Sequence, residues 1–148
     1  MGSLILPSSG PLYVDTQVLI YSVEHHPVYA PVLRPVWQAA QAGTHEIVTS
    51  ELSILETLVV PLRRGDGRLV ADYEALFQQP GIRLLPITQQ VLREAARLRA
   101  TVPSLRTPDA IHAATAASAA CPIVLSNDRD LRRVPGLPLT LLDDLVGP

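Results

Sequence analysis

Short apolar runs and longer amphipathic stretches alternate along the chain. The runs at 12–14, 47–49, 82–86, 123–125 and 138–142 are rich in Leu, Ile and Val and mostly unalternated. That is the pattern of strands covered on both faces, where neither row of side chains meets water. Turn-forming residues precede several of them: Gly43 and Thr44, Pro80 and Gly81, and Pro122. Between the runs, apolar positions recur every three or four residues and predict helices over 16–21, 28–41, 50–64, 66–79, 88–101 and 107–120.

Ser50 and Asp66 are N-cap candidates for the third and fourth helices. In the third, Leu52, Leu55, Val59 and Leu62 form the expected buried stripe, and Pro61 is expected to kink or end the helix. In the fifth, Val91, Leu92, Ala95, Ala96 and Leu98 point inward and the arginines outward. Thr107 reads as the cap of the last helix, with Pro108 at its first position, and the small residues of 110–120 read as close packing against the sheet. Strands alternating with helices predict an α/β fold, with a mostly parallel sheet of about five strands flanked by helices on both faces. One domain is expected over 1–148, its core at about 11–143. No internal repeat or low-complexity linker is visible.

Composition narrows the picture. The chain has 148 residues, 47% hydrophobic and 18% charged, enough to bury a core without a disulfide or metal staple. Aromatic residues are only 4%, which argues for an aliphatic core and against a stacking platform for single-stranded nucleic acid. All 12 basic residues are arginine, so no Schiff-base or P-loop lysine exists. The net charge of −2 argues against tight non-specific phosphate binding. Cys121 stands alone, which excludes a disulfide framework and a thiolate cluster. No uncharged apolar run approaches the ~18 residues of a membrane span, and 4–6 is too short for a secretory signal. A cytoplasmic protein without membrane association is the expectation.

In such a sheet, ligands gather beyond the carboxyl ends of the strands. Asp15 and Asp128 follow the first and fourth runs, Asp109 lies in the first turn of the last helix, and Glu56 lies within the third. Four carboxylates can therefore converge, and such a cluster must share protons or hold a cation. Oxygen-only ligation suits Mg²⁺ or Mn²⁺. Structural readings stand beside this one. Asp109 favours a helix dipole in any case, Asp128 could form an Asx-turn, and Glu56 could face solvent. Asp15, between two apolar runs, is the hardest to assign a bland role. His112 reads as packing or as a contact on the site rim. Arg129, Arg132 and Arg133 read as phosphate ligands or as a solvated basic face. A phosphatase of the Asp-x-Asp kind is disfavoured, because Gln17 stands where the second aspartate would be.

Four stretches carry a resemblance. They are Tyr13-Val14-Asp15-Thr16; Thr49-Ser50-Glu51-Leu52-Ser53-Ile54-Leu55-Glu56; Arg106-Thr107-Pro108-Asp109-Ala110-Ile111-His112-Ala113-Ala114-Thr115-Ala116; and Leu125-Ser126-Asn127-Asp128-Arg129-Asp130-Leu131. In this order and spacing, over 12–131, the chain resembles PIN-domain proteins, in particular the VapC-type ribonuclease toxins of toxin–antitoxin pairs. The resemblance implies an endoribonuclease dependent on Mg²⁺ or Mn²⁺ that cuts tRNA, rRNA or mRNA. Asp15, Glu56, Asp109 and Asp128 would be its catalytic and metal-holding acids. Thr16 and Ser126 would supply hydroxyls near the metal, and Asp130 an accessory acid. It also implies a homodimer restrained by a cognate antitoxin. The alternative is a PIN-like scaffold that binds RNA or protein without cutting.

Overall fold

The computed structural model of the chain describes residues 2–147. Five strands form one parallel sheet, in the order β3-β2-β1-β4-β5. They are β1 (Leu12–Val14), β2 (Ile47–Ser50), β3 (Ile82–Leu85), β4 (Ile123–Ser126) and β5 (Leu139–Leu141). The helices are α1 (Thr16–Val23), α2 (Tyr29–Ala42), α3 (Leu52–Arg63), α4 (Gly67–Phe77), α5 (Gln89–Thr101), α6 (Thr107–Ser118) and α7 (Asp143–Val146). A 3₁₀ helix, Arg129–Arg133, follows β4. The expected α/β architecture is the observed one, and most boundaries fall within two residues of those predicted.

Alternation along β1 divides the core. Leu12 and Val14 face one side, with Val18, Leu19, Leu33, Val36, Tyr73, Leu76 and Leu142. Tyr13 faces the other, with Val48, Val124, Ala116 and Cys121. Beyond it, α5 and α6 pack around Val91, Ala95, Ala110, Ala113 and Ala114. Small residues let α6 lie close against the sheet, and Cys121 is the buried thiol expected. Gly81 is needed where it stands: its φ is +91°, and a Cβ there would lie 3.1 Å from the Ala40 carbonyl oxygen.

The third helix departs from expectation. Leu55 and Leu62 are exposed by 64% and 63%, and Val59 is exposed too, while Ser53, Thr57 and Pro61 are buried. Of the predicted stripe only Leu52 packs against the core; the rest faces out and a polar stripe faces in. Ser50 is the last residue of β2 rather than a cap, although its Oγ accepts from the Leu52 amide at 3.1 Å. Pro61 lies inside the helix, which ends only two residues later. On α5, Leu92 and Ala96 are exposed rather than inward. Among the described residues no helix is long and apolar enough to cross a membrane.

Candidate active site

The order of strands reverses at β1, with β2 on one side and β4 on the other. At the carboxyl end of this switch point lies a cavity of about 490 Å³, lined by Asp15, Thr16, Gln17, Glu56, Arg106, Asp109, His112, Asn127, Asp128 and Arg129 among others. All four predicted acids reach its wall. Asp130 does not line it.

Asp15 ends the central strand and caps α1. Its Oδ1 accepts from the Val18 amide at 3.2 Å, and its Oδ2 takes a very short hydrogen bond from the Ser126 hydroxyl. Burial raises its pKa, against the opposing pull of His112, Ser126 and the Val18 amide. Ser126 also accepts from the Asp128 amide at 2.9 Å, so one hydroxyl ties the ends of β1 and β4 together.

Asp128 caps the 3₁₀ helix through Oδ1, which accepts from the Asp130 amide at 3.0 Å. Its other oxygen, Oδ2, is buried with no hydrogen-bond partner, the sole such side-chain atom among the described residues. Asp109 stands at the third helical position of α6, one later than expected, because Arg106 rather than Thr107 is the N-cap. It accepts from the Arg106 amide at 3.3 Å and from Arg106 Nε at 3.4 Å. Burial, then the neighbouring Asp128 carboxyl, pushes its pKa up to about 6.

Glu56 leans the other way. Its Oε1 accepts from Thr16 Oγ1 at 2.7 Å and lies 2.9 Å from His112 Nε2. Burial raises its pKa, but the hydrogen bonds from His112 and Thr16 outweigh that and leave it lowered. Thr16 Oγ1 is also 3.0 Å from Ser53 Oγ, which is 2.9 Å from Thr49 Oγ1. Since the single Thr16 proton goes to Glu56, Ser53 must donate to Thr16 and Thr49 to Ser53. A file of hydroxyl protons therefore points at one carboxylate.

Sequence reasoning placed His112 in packing or on the rim. It is 95% buried beneath the cavity, with Nδ1 2.7 Å from the Tyr13 hydroxyl. Ser53 and Thr49 were missed as parts of the site. The signal was present in α3, where Ser53, Glu56 and Thr57 form a polar stripe at helical spacing. The arginines near Asp128 have protein partners: Arg129 is 3.5 Å from Asp143, Arg132 is 2.7 Å from Asp144, and Arg133 donates to Ser104 Oγ at 2.9 Å.

As the chain stands, no three His, Cys, Asp or Glu side chains among the described residues are arranged to hold a metal ion. The acids have other engagements, Glu56 with His112 and Asp109 with Arg106. The donor set nevertheless fits a hard divalent cation. Asp128 Oδ2 is a buried oxygen without a proton donor, and the adjacent Asp109 has its pKa pushed up to about 6 by burial and by Asp128. Mg²⁺ needs only one or two carboxylates, keeping water on its other positions.

Comparison with known proteins matches the chain to the family profile described as PIN domain, over residues 12–137. No curated protein matches. Among solved structures, the DNA-bound VapBC of Salmonella typhimurium shares 17% identity at a TM-score of 0.73, covering 90% of this chain and 98% of that one. VapBC2 of Rickettsia felis, bound to a fragment of its promoter, shares 15% at 0.71, covering 89% and 99%. VapC20 of Mycobacterium tuberculosis, described as a toxin that cleaves the sarcin–ricin loop, shares 16% at 0.68, covering 84% and 95%. At these identities the likeness is one of fold.

Proposed function

The chain belongs to the PIN-domain family, and from that premise we propose that it is a metal-dependent endoribonuclease of the VapC type, the toxin of a toxin–antitoxin pair. The observation that carries this reading is the switch-point cavity, where four carboxylates from separate parts of the chain meet and one buried carboxylate oxygen lacks any partner.

Asp15, Asp109 and Asp128 would hold Mg²⁺ or Mn²⁺, with Glu56 completing the set or orienting a water. Bound there, the ion would neutralise the acids toward a phosphodiester and acidify a coordinated water. The chain's own groups do the rest. Asp15 is locked by the Val18 amide and Ser126, so its carboxylate needs no reorganisation. Glu56 has Oε1 committed to two donors, which leaves Oε2 to take a proton from the attacking water. Arg106 and Arg129 flank the cavity on well-exposed side chains and can turn to the substrate phosphates. In-line attack by water breaks the bond to the 3′ oxygen, leaving a 3′-hydroxyl and a 5′-phosphate, with no covalent enzyme intermediate.

The solved structures similar in fold include complexes described as VapBC and FitAcB, and as a toxin–antitoxin complex from Klebsiella pneumoniae. That likeness supports a cognate antitoxin as partner. The outward apolar stripe of α3 supports assembly with protein, as homodimer or complex.

Purified protein incubated with structured RNA should cut it with Mn²⁺ and not with EDTA. Asp15→Asn should lose roughly 100-fold or more, the loss of several kcal/mol of charge stabilisation. Asparagine retains the oxygen that caps α1, so the variant should stay folded by circular dichroism. Undiminished cleavage by Asp15→Asn would defeat the assignment. RNA retained without cutting, under any divalent ion, would favour the non-catalytic scaffold.

A further inference from the structure

We infer that His112 is the positioning residue of the candidate site: from beneath the cavity its imidazole N–H aims Glu56, while its other nitrogen is braced by the Tyr13 hydroxyl. The inference rests on the ribonuclease reading for its consequence, though the geometry stands without it.

Hydrogen-bond accounting fixes the tautomer. Tyr13 Oη lies 2.7 Å from His112 Nδ1, and its ring is fully buried. Ser50 and Thr49 also reach this hydroxyl, so the direction of the bond is set from the other side of the ring. On that side Nε2 is 2.9 Å from Glu56 Oε1 and 3.2 Å from Thr16 Oγ1. A carboxylate can only accept, so Nε2 carries a proton, and with that tautomer Nδ1 accepts from the phenol. Tyr13 and His112 rings meet edge to face, with centroids 5.9 Å apart and planes at 73°. Such packing leaves the imidazole little freedom to rotate.

The consequence lies at Glu56. One of its oxygens receives both the imidazole N–H and the end of the Thr49–Ser53–Thr16 hydroxyl file. The chain of donors is polarised toward that oxygen, which strengthens each bond in a water-poor interior. The carboxylate is thereby kept from swinging toward Arg106, and it stays in the wall of the cavity. His112 touches no substrate in this scheme. It acts through Glu56.

The geometry separates two conservative substitutions. Glutamine carries its amide nitrogen near the place of Nε2 and can still donate to Glu56. Asparagine carries its amide near Nδ1, meets Tyr13, and falls short of Glu56. Cleavage of an end-labelled RNA hairpin with Mn²⁺ should show kcat falling roughly 100-fold in His112→Leu, the low end of what a positioned base supplies, with KM unchanged. His112→Gln should recover most of that loss and His112→Asn little of it. Equal rates for the glutamine and asparagine variants, or a change in KM alone, would overturn the proposal. If His112→Leu fails to fold, the comparison of the two amide variants carries the decision.

A second measurement needs no catalysis. Long-range ¹H–¹⁵N spectra of the metal-free protein should show His112 with a proton on Nε2, and a bare Nε2 overturns the inference. If the wild-type protein cuts no RNA, the ribonuclease reading fails while this spectrum still decides whether His112 holds Glu56.

Discussion

Asp128 Oδ2 is buried without a hydrogen-bond partner, and burial together with the Asp128 carboxyl pushes up the pKa of Asp109 despite its bonds from Arg106. Asp109 titrates at about 6 in the folded chain against an ordinary 3.8. The folded state therefore binds this proton more tightly than the unfolded one, and the stability it lends is present below about pH 4 and lost as pH rises toward 6. In EDTA at pH 7, Asp109→Asn should be more stable than wild type by about 1 kcal/mol in urea melts. A shift of two units would represent ~2.7 kcal/mol, but solvent at the half-buried carboxyl screens part of it. Saturating Mg²⁺ should reverse the order, stabilising the wild type alone. That four acids share one cavity wall was legible for Asp15, Asp128 and Asp109, which follow strands or open a helix, and less so for Glu56 inside α3. The engagement of His112 was not, since its partners Tyr13 and Thr16 lie 99 and 96 residues away in sequence. Helical spacing says which residues share a face, and nothing local says what that face meets.

Helix α3 shows how an element can be read correctly in extent and wrongly in phase. Leu55, Val59 and Leu62 repeat at the spacing of a core stripe, and a core stripe was the natural expectation. The fold instead turns Ser53 and Thr57 inward, where Thr57 satisfies itself by donating to the Ser53 carbonyl at 2.7 Å. Burying polar groups is tolerable only when each finds a partner, and Ser53 finds two. Ser53→Ala leaves Thr49 without its acceptor and Thr16 without its donor. It should cost about 1–3 kcal/mol in chemical denaturation and lower cleavage as well. Contrast α4, whose cap was visible from the letters: Asp66 accepts from the Leu69 amide at 3.1 Å. Asp66→Ala should cost about 1 kcal/mol and leave RNA cleavage unaltered, since that helix end stands outside the cavity.

Across the whole molecule, the five-stranded parallel order was readable because short unalternated runs separated by helices permit few arrangements. What the letters did not disclose is how the charges are spent. Arg83, Arg97, Arg106, Arg129 and Arg132 each pair with a nearby acid, so the surface offers RNA less free positive charge than 12 arginines suggest. Of the two assemblies proposed, the homodimer has the exposed stripe of α3 meeting a second copy of the chain. Placing glutamate at both Leu55 and Leu62 should then weaken self-association at least roughly tenfold, read by light scattering during size exclusion, because a buried carboxylate lacks a partner there.

The place of β1 at the middle of the sheet has a further effect in time. One of its neighbours, β2, follows within the first third of the chain, while the other, β4, is nearly the last strand to be made. A ribosome synthesising this polypeptide has released Asp15 and Glu56 long before it reaches Asp128. On our reading, the cell meets no nuclease until translation is almost complete, and a premature stop anywhere upstream of Ile123 yields a harmless fragment.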